Sequence, residues 1–255
     1  MLPTPDTSHV PYNRVYEPAE DSFLLLDTLS SPSETAFLSS RFTTTTPLIL
    51  EVGPGSGVVL AFLTAHAYTI FNTRHILTLG VDVNTFACTS TLKTVSRAIA
   101  ETTPQESGTF LTALQGDLTS PLRPGQVDVL VFNPPYVPTP DLPPLPPVSS
   151  SPSTTTTTFA QDSHLLELSY AGGKDGMETT DRLVDALPCI LSNRGCAYIL
   201  LCAQNKPEEV KERIRQWPSG GDSHSGNWKA ETVGFSGKQA GWEKLQIVRI
   251  WRDSI

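Results

Sequence analysis

Four consecutive residues, Asn133-Pro134-Pro135-Tyr136, are suited to recognise a flat, neutral nitrogen. The side-chain oxygen of Asn133 and the carbonyl of Pro134 are two acceptors for one NH₂ group, and prolines supply no competing N–H donor. The ring of Tyr136 could stack on the planar amide or base that carries the nitrogen. The alternative is a Pro-rich turn without chemistry, because a single short motif is weak evidence.

The residues before this motif predict a buried strand. The stretch from Val127 to Phe132 is apolar apart from Asp128, which is typical of strands in parallel sheets. Two successive prolines cannot continue a hydrogen-bonded ladder, so the strand must end at Asn133. In open α/β sheets, ligands bind at the carboxyl ends of the strands, and the motif is predicted to lie there.

A second predicted strand starts at Leu48 and has an acid, Glu51, near its end. A glycine-rich turn follows it, with glycines at positions 53, 55 and 57. The glycines allow close approach of the backbone to a ligand, and the following apolar helix points its N–H groups at the same place. A dinucleotide-binding turn would have the spacing Gly-x-Gly-x-x-Gly. Here the third glycine comes one residue early.

Two further acids follow predicted strands. Asp82, before Val83, could accept hydrogen bonds from both hydroxyls of a ribose, a role that nucleoside-binding folds share. Asp117, before Leu118, could accept from an adenine amino group while the next N–H donates to the ring. The Asp117 signal is weak on its own, because Gly-Asp is a common turn.

Taken in order, these features resemble the eukaryotic and archaeal release factor glutamine methyltransferases, which are HemK-like class I enzymes. Their first motif is Glu/Asp-x-Gly-x-Gly-x-Gly, and Asn-Pro-Pro-Tyr resembles the signature of enzymes that methylate glutamine or the amino groups of bases. The segment from Tyr16 to Ser22 resembles the family's N-terminal motif, and the segments 171–176 and 236–242 resemble two others. This sequence departs from the family in Pro54 and in a long Pro/Ser/Thr-rich segment.

The resemblance implies an α/β, Rossmann-like class I methyltransferase fold, with a seven-stranded, mostly parallel sheet and helices on both faces. It implies a single domain over residues 1–255, with an N-terminal lid and linker over 1–46 and a low-complexity loop insertion over 138–164. The implied reaction is N5-methylation of the glutamine in the Gly-Gly-Gln motif of a class 1 translation release factor. The implied cofactor is S-adenosyl-L-methionine, whose net positive charge suits an acid near the glycine turn.

Candidate residues follow from these patterns and from the resemblance. The expected catalytic residues are Asn133, Pro134 and Tyr136, and the substrate-binding residues are these three with Pro135. No metal site is expected. The expected cofactor contacts are Tyr16, Asp21, Glu51, Gly53, Gly55, Gly57, Asp82, Val83, Asp117, Leu118 and Asn133.

Three other functions are compatible with parts of the sequence. A DNA or RNA adenine amino-group methyltransferase would use Asn133 to Tyr136 on a flipped base, but no target-recognition domain is evident. A protein lysine (histone) methyltransferase acts on an amine that is not planar and gains little from paired acceptors. A nucleoside-binding scaffold without activity would not need the intact Asn-Pro-Pro-Tyr motif.

The charge of the chain argues against nucleic acid as its main partner. The 255 residues carry a net charge of −8, and the pI is about 5.1, whereas proteins that bind nucleic-acid phosphates are usually basic. The four cysteines contain no Cys-x-x-Cys pair and predict reduced thiols in a cytosolic or nuclear protein. No signal peptide and no membrane-spanning run are expected.

A protein partner is expected at the third strand, Phe110 to Leu114. In a sheet of this type it lies at an edge, and it has neither charge nor proline to prevent pairing with another chain. The resemblance implies a heterodimer with a small zinc-binding methyltransferase activator, which holds the zinc. We expect the chain to be poorly soluble without it.

The remaining elements are predicted from periodicity and from breakers. Residues 30–47 read as a connection. Helices are expected over 58–71, 85–101, 179–191 and 207–217 and near Phe23, and strands over 75–81, 195–203, 228–235 and 243–251, the last two as an antiparallel pair.

Overall fold

The computed structural model describes residues 2–146, 158–218, 225–236 and 244–254. The described residues form eight α-helices and seven β-strands. The strands are β1 Leu48–Val52, β2 Leu77–Asp82, β3 Thr109–Gln115, β4 Val127–Phe132, β5 Leu191–Leu201, β6 Ser225–Phe235 and β7 Gln246–Ser254. The helices are α1 Glu20–Leu29, α2 Pro32–Arg41, α3 Val58–Ala65, α4 Ala67–Phe71, α5 Thr85–Glu101, α6 Phe159–Tyr170, α7 Glu178–Ile190 and α8 Pro207–Arg215.

The strands form one sheet in the order β3-β2-β1-β4-β5-β7-β6. The first five of these run parallel, and β7 is antiparallel to both of its neighbours. This confirms the predicted seven-stranded, mostly parallel sheet, its terminal antiparallel pair and the edge position of β3. The fold is that of a Rossmann-like class I methyltransferase, as predicted.

Helices cover both faces of the sheet, which explains the apolar runs in its strands. Along β4, Val129 and Val131 pack into one cluster with side chains of α1 to α4, while Leu130 and Phe132 pack into another with side chains of α7 and α8. All six residues of β4 are buried. Such two-sided burial is what makes parallel strands read as continuous apolar segments.

Residues 30–47 were expected to be a connection, and this is wrong, because they contain α2. The helix begins with strong local signals: the hydroxyl of Ser31 accepts from the backbone N–H of Glu34, and Pro32 occupies the first helical turn. The serines that suggested a loop bond back to their own helix, as Ser40 does to the carbonyl of Phe37 at 2.9 Å.

Other boundaries also shift. The predicted helix over 58–71 is interrupted at His66 and forms two helices, α3 and α4. The expected loop insertion over 138–164 is too long, because α6 begins at Phe159, where Thr158 and Gln161 form a reciprocal capping box. Pro18 precedes the first turn of α1 rather than lying in it. The predicted hairpin link over 236–242 lies largely outside the described residues.

Among the described residues, no helix is both long enough and apolar enough to span a membrane. In the same part of the chain, no group of three or more His, Cys, Asp and Glu side chains is arranged to hold a metal ion.

A buried ionic network attaches α2 to the sheet. The carboxylate of Glu34, which is 1% exposed, accepts from the guanidinium of Arg249 at 2.8 and 3.0 Å and from the hydroxyl of Tyr198 at 2.8 Å. The same guanidinium lies over the rings of Phe37 and Trp251. Arg249 also reaches Glu231 at 3.7 Å, but this second acid is 58% exposed.

We expect Glu34→Gln to lower the free energy of unfolding by about 3 kcal/mol, because it leaves a buried guanidinium without its close carboxylate. Urea denaturation should measure this loss. Glu231→Gln is the matched control, since it removes an exposed carboxylate from the same arginine and should cost less than about 1 kcal/mol. Equal losses in the two variants would contradict the assignment.

Candidate active site

A cavity of about 190 Å³ lies at the carboxyl ends of β1, β2 and β4. The glycine-rich turn after β1 and the Asn-Pro-Pro motif after β4 form parts of its wall, as the sequence predicts. The predicted residues that line it are Tyr16, Asp21, Glu51, Gly53, Gly55, Asp82, Val83, Asp117, Leu118, Asn133, Pro134 and Pro135.

Two predicted site residues do not line this cavity. Gly57 lies behind the turn, where a Cβ atom would come within 2.6 Å of the Cα atom of Thr91, so this glycine is required for packing against α5. Tyr136 packs against the hydrophobic cluster beneath α1 to α4. Its stacking on a substrate stays a prediction.

The glycine-rich turn holds its shape through left-handed backbone and contacts with β2. Gly53 and Gly55 have φ values of 62° and 54°, a region that other residues rarely adopt. The N–H of Gly53 donates to the carbonyl of Val81 at 2.8 Å, and the N–H of Gly55 donates to the carboxylate of Asp82 at 3.1 Å. Asp82 thus fixes the turn as well as facing the cavity.

Burial changes the acidity of two carboxyl groups in the cavity wall. Burial raises the pKa of Asp82 to about 6, against the opposing effect of hydrogen bonds from the backbone N–H groups of Asn84 and Gly55. Burial, with a smaller contribution from the charge of Asp82, raises the pKa of Glu51 well above its usual range. The Oε2 atom of Glu51 is buried without a hydrogen-bond partner among the described residues. Both groups therefore favour a ligand that is cationic or donates hydrogen bonds.

Asp117 has a partner that the sequence did not suggest. Its carboxylate forms a hydrogen-bonded ion pair with the guanidinium of Arg182 in α7, and both residues line the cavity. Leu118 beside it adopts a φ of 50°. The pairing comes from α7 packing beside the β3–β4 connection, which no local pattern around Arg182 reveals.

Asn133 presents an amide oxygen that nothing in the described chain uses. Its Oδ1 atom is buried and lacks a hydrogen-bond partner, and the residue lies on the cavity wall next to Pro134. A buried acceptor left without a donor costs about 1–3 kcal/mol, which a ligand N–H group can offset. The amide oxygen is therefore available to a substrate, as the motif predicts.

The N-terminal segment and α6 both line the cavity and contact each other. Tyr16 donates its hydroxyl to the carboxylate of Asp21 at 3.1 Å, and both line the cavity. The neighbouring Arg14 forms an ion pair with Asp162 of α6 at 3.3 Å, and Asn13 donates to the same carboxylate at 2.6 Å.

Residues from the predicted insertion also contribute to this wall. They are Leu142, Pro143 and Leu145, which were not predicted as site residues because their segment was read as low complexity. Leu165 and Leu168 of α6, just beyond the predicted insertion, also line the cavity and were not predicted.

Comparisons with known proteins identify the family. No protein family model matches the chain. The "Methyltransferase HEMK2" of Mus musculus is 34% identical over 257 residues, which cover 97% of this chain and 96% of the relative. The human protein of the same name is 36% identical, with coverage of 96% and 95%. This chain belongs to the HEMK2 methyltransferase family.

The name of a fungal relative also states a substrate. The "eRF1 methyltransferase catalytic subunit mtq2" of Schizosaccharomyces pombe is 32% identical over 256 residues, covering 99% of this chain and 96% of the relative. The family resemblance drawn from five short motifs is therefore confirmed along nearly the whole chain.

The cavity fits the cofactor that a class I methyltransferase uses. S-adenosylmethionine offers ribose hydroxyls and an ammonium group as donors, and a sulfonium as a second positive charge. The unpartnered Oε2 atom of Glu51 and the carboxylate of Asp82 are acceptors of the required kind. The left-handed turn at Gly53 and Gly55 leaves the backbone open to the cavity. These residues would hold the cofactor.

We expect the affinity for S-adenosylmethionine to depend on pH through Asp82. Its carboxyl group is protonated below about pH 6, and the protonated form is a weaker acceptor than the carboxylate, so the Kd should rise as the pH falls. Calorimetry should show a Kd that is constant above pH 7 and increases by up to about tenfold per pH unit below pH 6.

Asp82→Asn is the variant that tests the residue responsible. It should weaken binding at pH 8 by roughly 1.5–3 kcal/mol, because a charge-assisted acceptor is lost, and it should reduce the pH dependence. An affinity of the unaltered protein that stays constant from pH 8 to pH 5 would contradict the role given to Asp82.

Proposed function

We propose that this chain transfers the methyl group of S-adenosylmethionine to the side-chain nitrogen of the glutamine in the Gly-Gly-Gln motif of a class 1 release factor. The observation that carries the proposal is the buried, unpartnered Oδ1 atom of Asn133 on the wall of a cavity lined by Glu51 and Asp82. Membership of a family that includes an eRF1 methyltransferase supports the choice of substrate.

The protein's task in this reaction is to position a poor nucleophile. An amide nitrogen is unreactive because its lone pair is delocalised into the carbonyl group. The Oδ1 atom of Asn133 and the carbonyl of Pro134 would accept the two hydrogens of the substrate NH₂ group, which fixes the nitrogen and returns electron density to it. Positioning of this kind can contribute several kcal/mol. When bound, the cofactor would supply the electrophilic methyl group and leave as a neutral thioether, and the methylated nitrogen would release one of its two hydrogens as a proton.

The acids around the cavity must serve binding without opposing the reaction. Methyl transfer discharges the sulfonium, so a site that stabilised this cation too strongly would slow the chemical step. Burial raises the pKa of Glu51 well above its usual range, which limits the negative charge in the wall. Arg182 balances the charge of Asp117 in the same wall.

Transfer of labelled methyl from S-adenosylmethionine to a protein with a Gly-Gly-Gln loop tests this function. A DNA duplex and a histone tail are the comparison substrates, because an adenine amino group and a lysine amine are the alternative acceptors. Labelling of the Gly-Gly-Gln protein that disappears when its glutamine is replaced by alanine would support the proposal. Labelling of DNA or of the histone tail alone would refute it.

We expect Asn133→Ala to abolish transfer while leaving the Kd for S-adenosylmethionine within about tenfold, because the lost acceptor acts on the reacting amide. Single-turnover transfer and calorimetry measure the two effects separately. Asp82→Asn is the matched comparison, since it should act chiefly on cofactor binding. Lost cofactor binding with normal residual turnover in Asn133→Ala would contradict the role of this residue.

We further propose that the chain works as a heterodimer with a small zinc-binding activator that docks on β3. This strand ends the sheet and pairs only with β2 among the described strands. Leu111 in its middle is 50% exposed, and none of its residues from Thr109 to Gln115 is charged. An unguarded edge of this kind favours pairing with another chain. A location in the cytosol or nucleus stays a prediction.

We expect Leu111→Lys to break the complex while leaving the affinity for S-adenosylmethionine unchanged, because a charge would be placed on the paired edge. Co-purification and calorimetry measure the two outcomes. Phe159→Lys is the control, since Phe159 is 88% exposed on α6, which is not part of the proposed interface. An isolated chain that is soluble, monomeric and fully active would contradict the need for a partner.

A further inference from the structure

The Asn-Pro-Pro-Tyr motif is held from behind by the second glycine-rich turn, residues 171–176. The N–H of Gly172 donates to the carbonyl of Val137 at 2.8 Å, and the N–H of Val137 donates to the carbonyl of Tyr170 at 3.0 Å. A Cβ atom on Gly172 would collide with the carbonyl oxygen of Pro135, and one on Gly176 with the carbonyl oxygen of Tyr136. The backbones of the two segments are therefore in direct contact.

One buried side chain joins these two segments. Asn205 is 2% exposed, and its Nδ2 atom lies 3.1 Å from the carbonyl oxygen of Tyr136, 3.0 Å from that of Asp175 and 3.4 Å from that of Gly176. Its Oδ1 atom accepts from the backbone N–H of Cys202 at 2.8 Å. The side-chain amide has two N–H groups and one acceptor oxygen. This orientation directs the N–H groups at the carbonyls and the oxygen at the N–H of Cys202, whereas the flipped orientation would face three carbonyls with an oxygen.

The order of the strands explains why Asn205 reaches this place. β5 lies beside β4 in parallel, with Ile199 opposite Phe132, so the chain that follows β5 runs next to the motif that follows β4. A short 3-10 turn over Ala203–Asn205 then directs the side chain toward Tyr136. No residue between Cys202 and Asn205 lines the cavity.

We propose that Asn205 is a positioning residue for methyl transfer. The backbone between Asn133 and Val137 contains two prolines, which cannot donate through their nitrogens, so contacts to its carbonyls add to the one N–H bond of Val137 in anchoring the loop. The contact of Asn205 with the Tyr136 carbonyl fixes that backbone and thereby the direction of the Asn133 amide. Asn205 touches neither the cavity nor the cofactor residues of the glycine-rich turn. Its effect is therefore on the rate of transfer and not on cofactor binding.

Asn205→Asp tests this inference, because the carboxylate keeps the acceptor for Cys202 and loses the donors to the three carbonyls. We expect kcat for the Gly-Gly-Gln substrate to fall by more than about tenfold, while the KM and the Kd for S-adenosylmethionine stay within about threefold. Arg215→Met is the matched control. It removes a side-chain N–H bond of 2.6 Å to the carbonyl of Ala230, in the packing of α8 on β6.

A second variant covers the case in which Asn205→Asp does not fold. Thr139→Val removes a different hydrogen bond between the same two segments. The hydroxyl of Thr139 accepts from the N–H of Gly173 at 3.0 Å. This variant should lower kcat by a smaller factor, again without a change in the cofactor Kd. An unchanged kcat in either folded variant would overturn the proposal, as would equal losses in kcat and in cofactor affinity.

This inference rests on the proposed function, so a measurement that needs no substrate is required to test the two independently. Hydrogen exchange of the amides over residues 136–139 should accelerate in both variants relative to Arg215→Met, while the amides over 53–57 keep their protection. If the unaltered protein does not methylate Gly-Gly-Gln, the proposed function fails, and the exchange data still decide the role of Asn205. Unchanged exchange over 136–139 would overturn it.

Discussion

The burial of two acids, Glu51 and Asp82, is the constraint on which the site depends. Both lie at the carboxyl ends of parallel strands, where burial raises the pKa of each carboxyl group, and the charge of Asp82 raises that of Glu51 further. The free protein therefore holds an unfavourable arrangement that a cationic ligand with several donors relieves. The surrounding chain serves this arrangement: the glycine turn approaches the acids closely, and the N-terminal segment and α6 cover them.

Much of the fold could be predicted because its signals are local. The strands of the parallel sheet are buried on two faces, so each appears as an apolar run that a glycine, proline or acid ends. Those terminating residues are also the functional ones, since the carboxyl edge of the sheet holds the site. Asp82 and Asn133 could be assigned to the cavity wall for this reason, without knowledge of any contact between them.

The features that could not be predicted depend on contacts between distant segments. The helix α2 was hidden by its serine content, and the ion pair of Glu34 with Arg249 that attaches it joins residues 215 positions apart. The pairing of Asp117 with Arg182 and the reach of Asn205 to Tyr136 likewise arise only when helices and strands have packed. A composition rich in proline and threonine also concealed α6, although Thr158 and Gln161 form a regular helix cap.

The isolated parallel bridge between Val137 and Ala171 has a consequence for how such a protein can evolve. It holds together the two ends of the segment 138–170, which contains the Pro/Thr-rich residues. The chain enters and leaves this segment at two adjacent, fixed points. A change in the length of this segment therefore need not displace Asn133, because the bridge fixes the chain four residues after it.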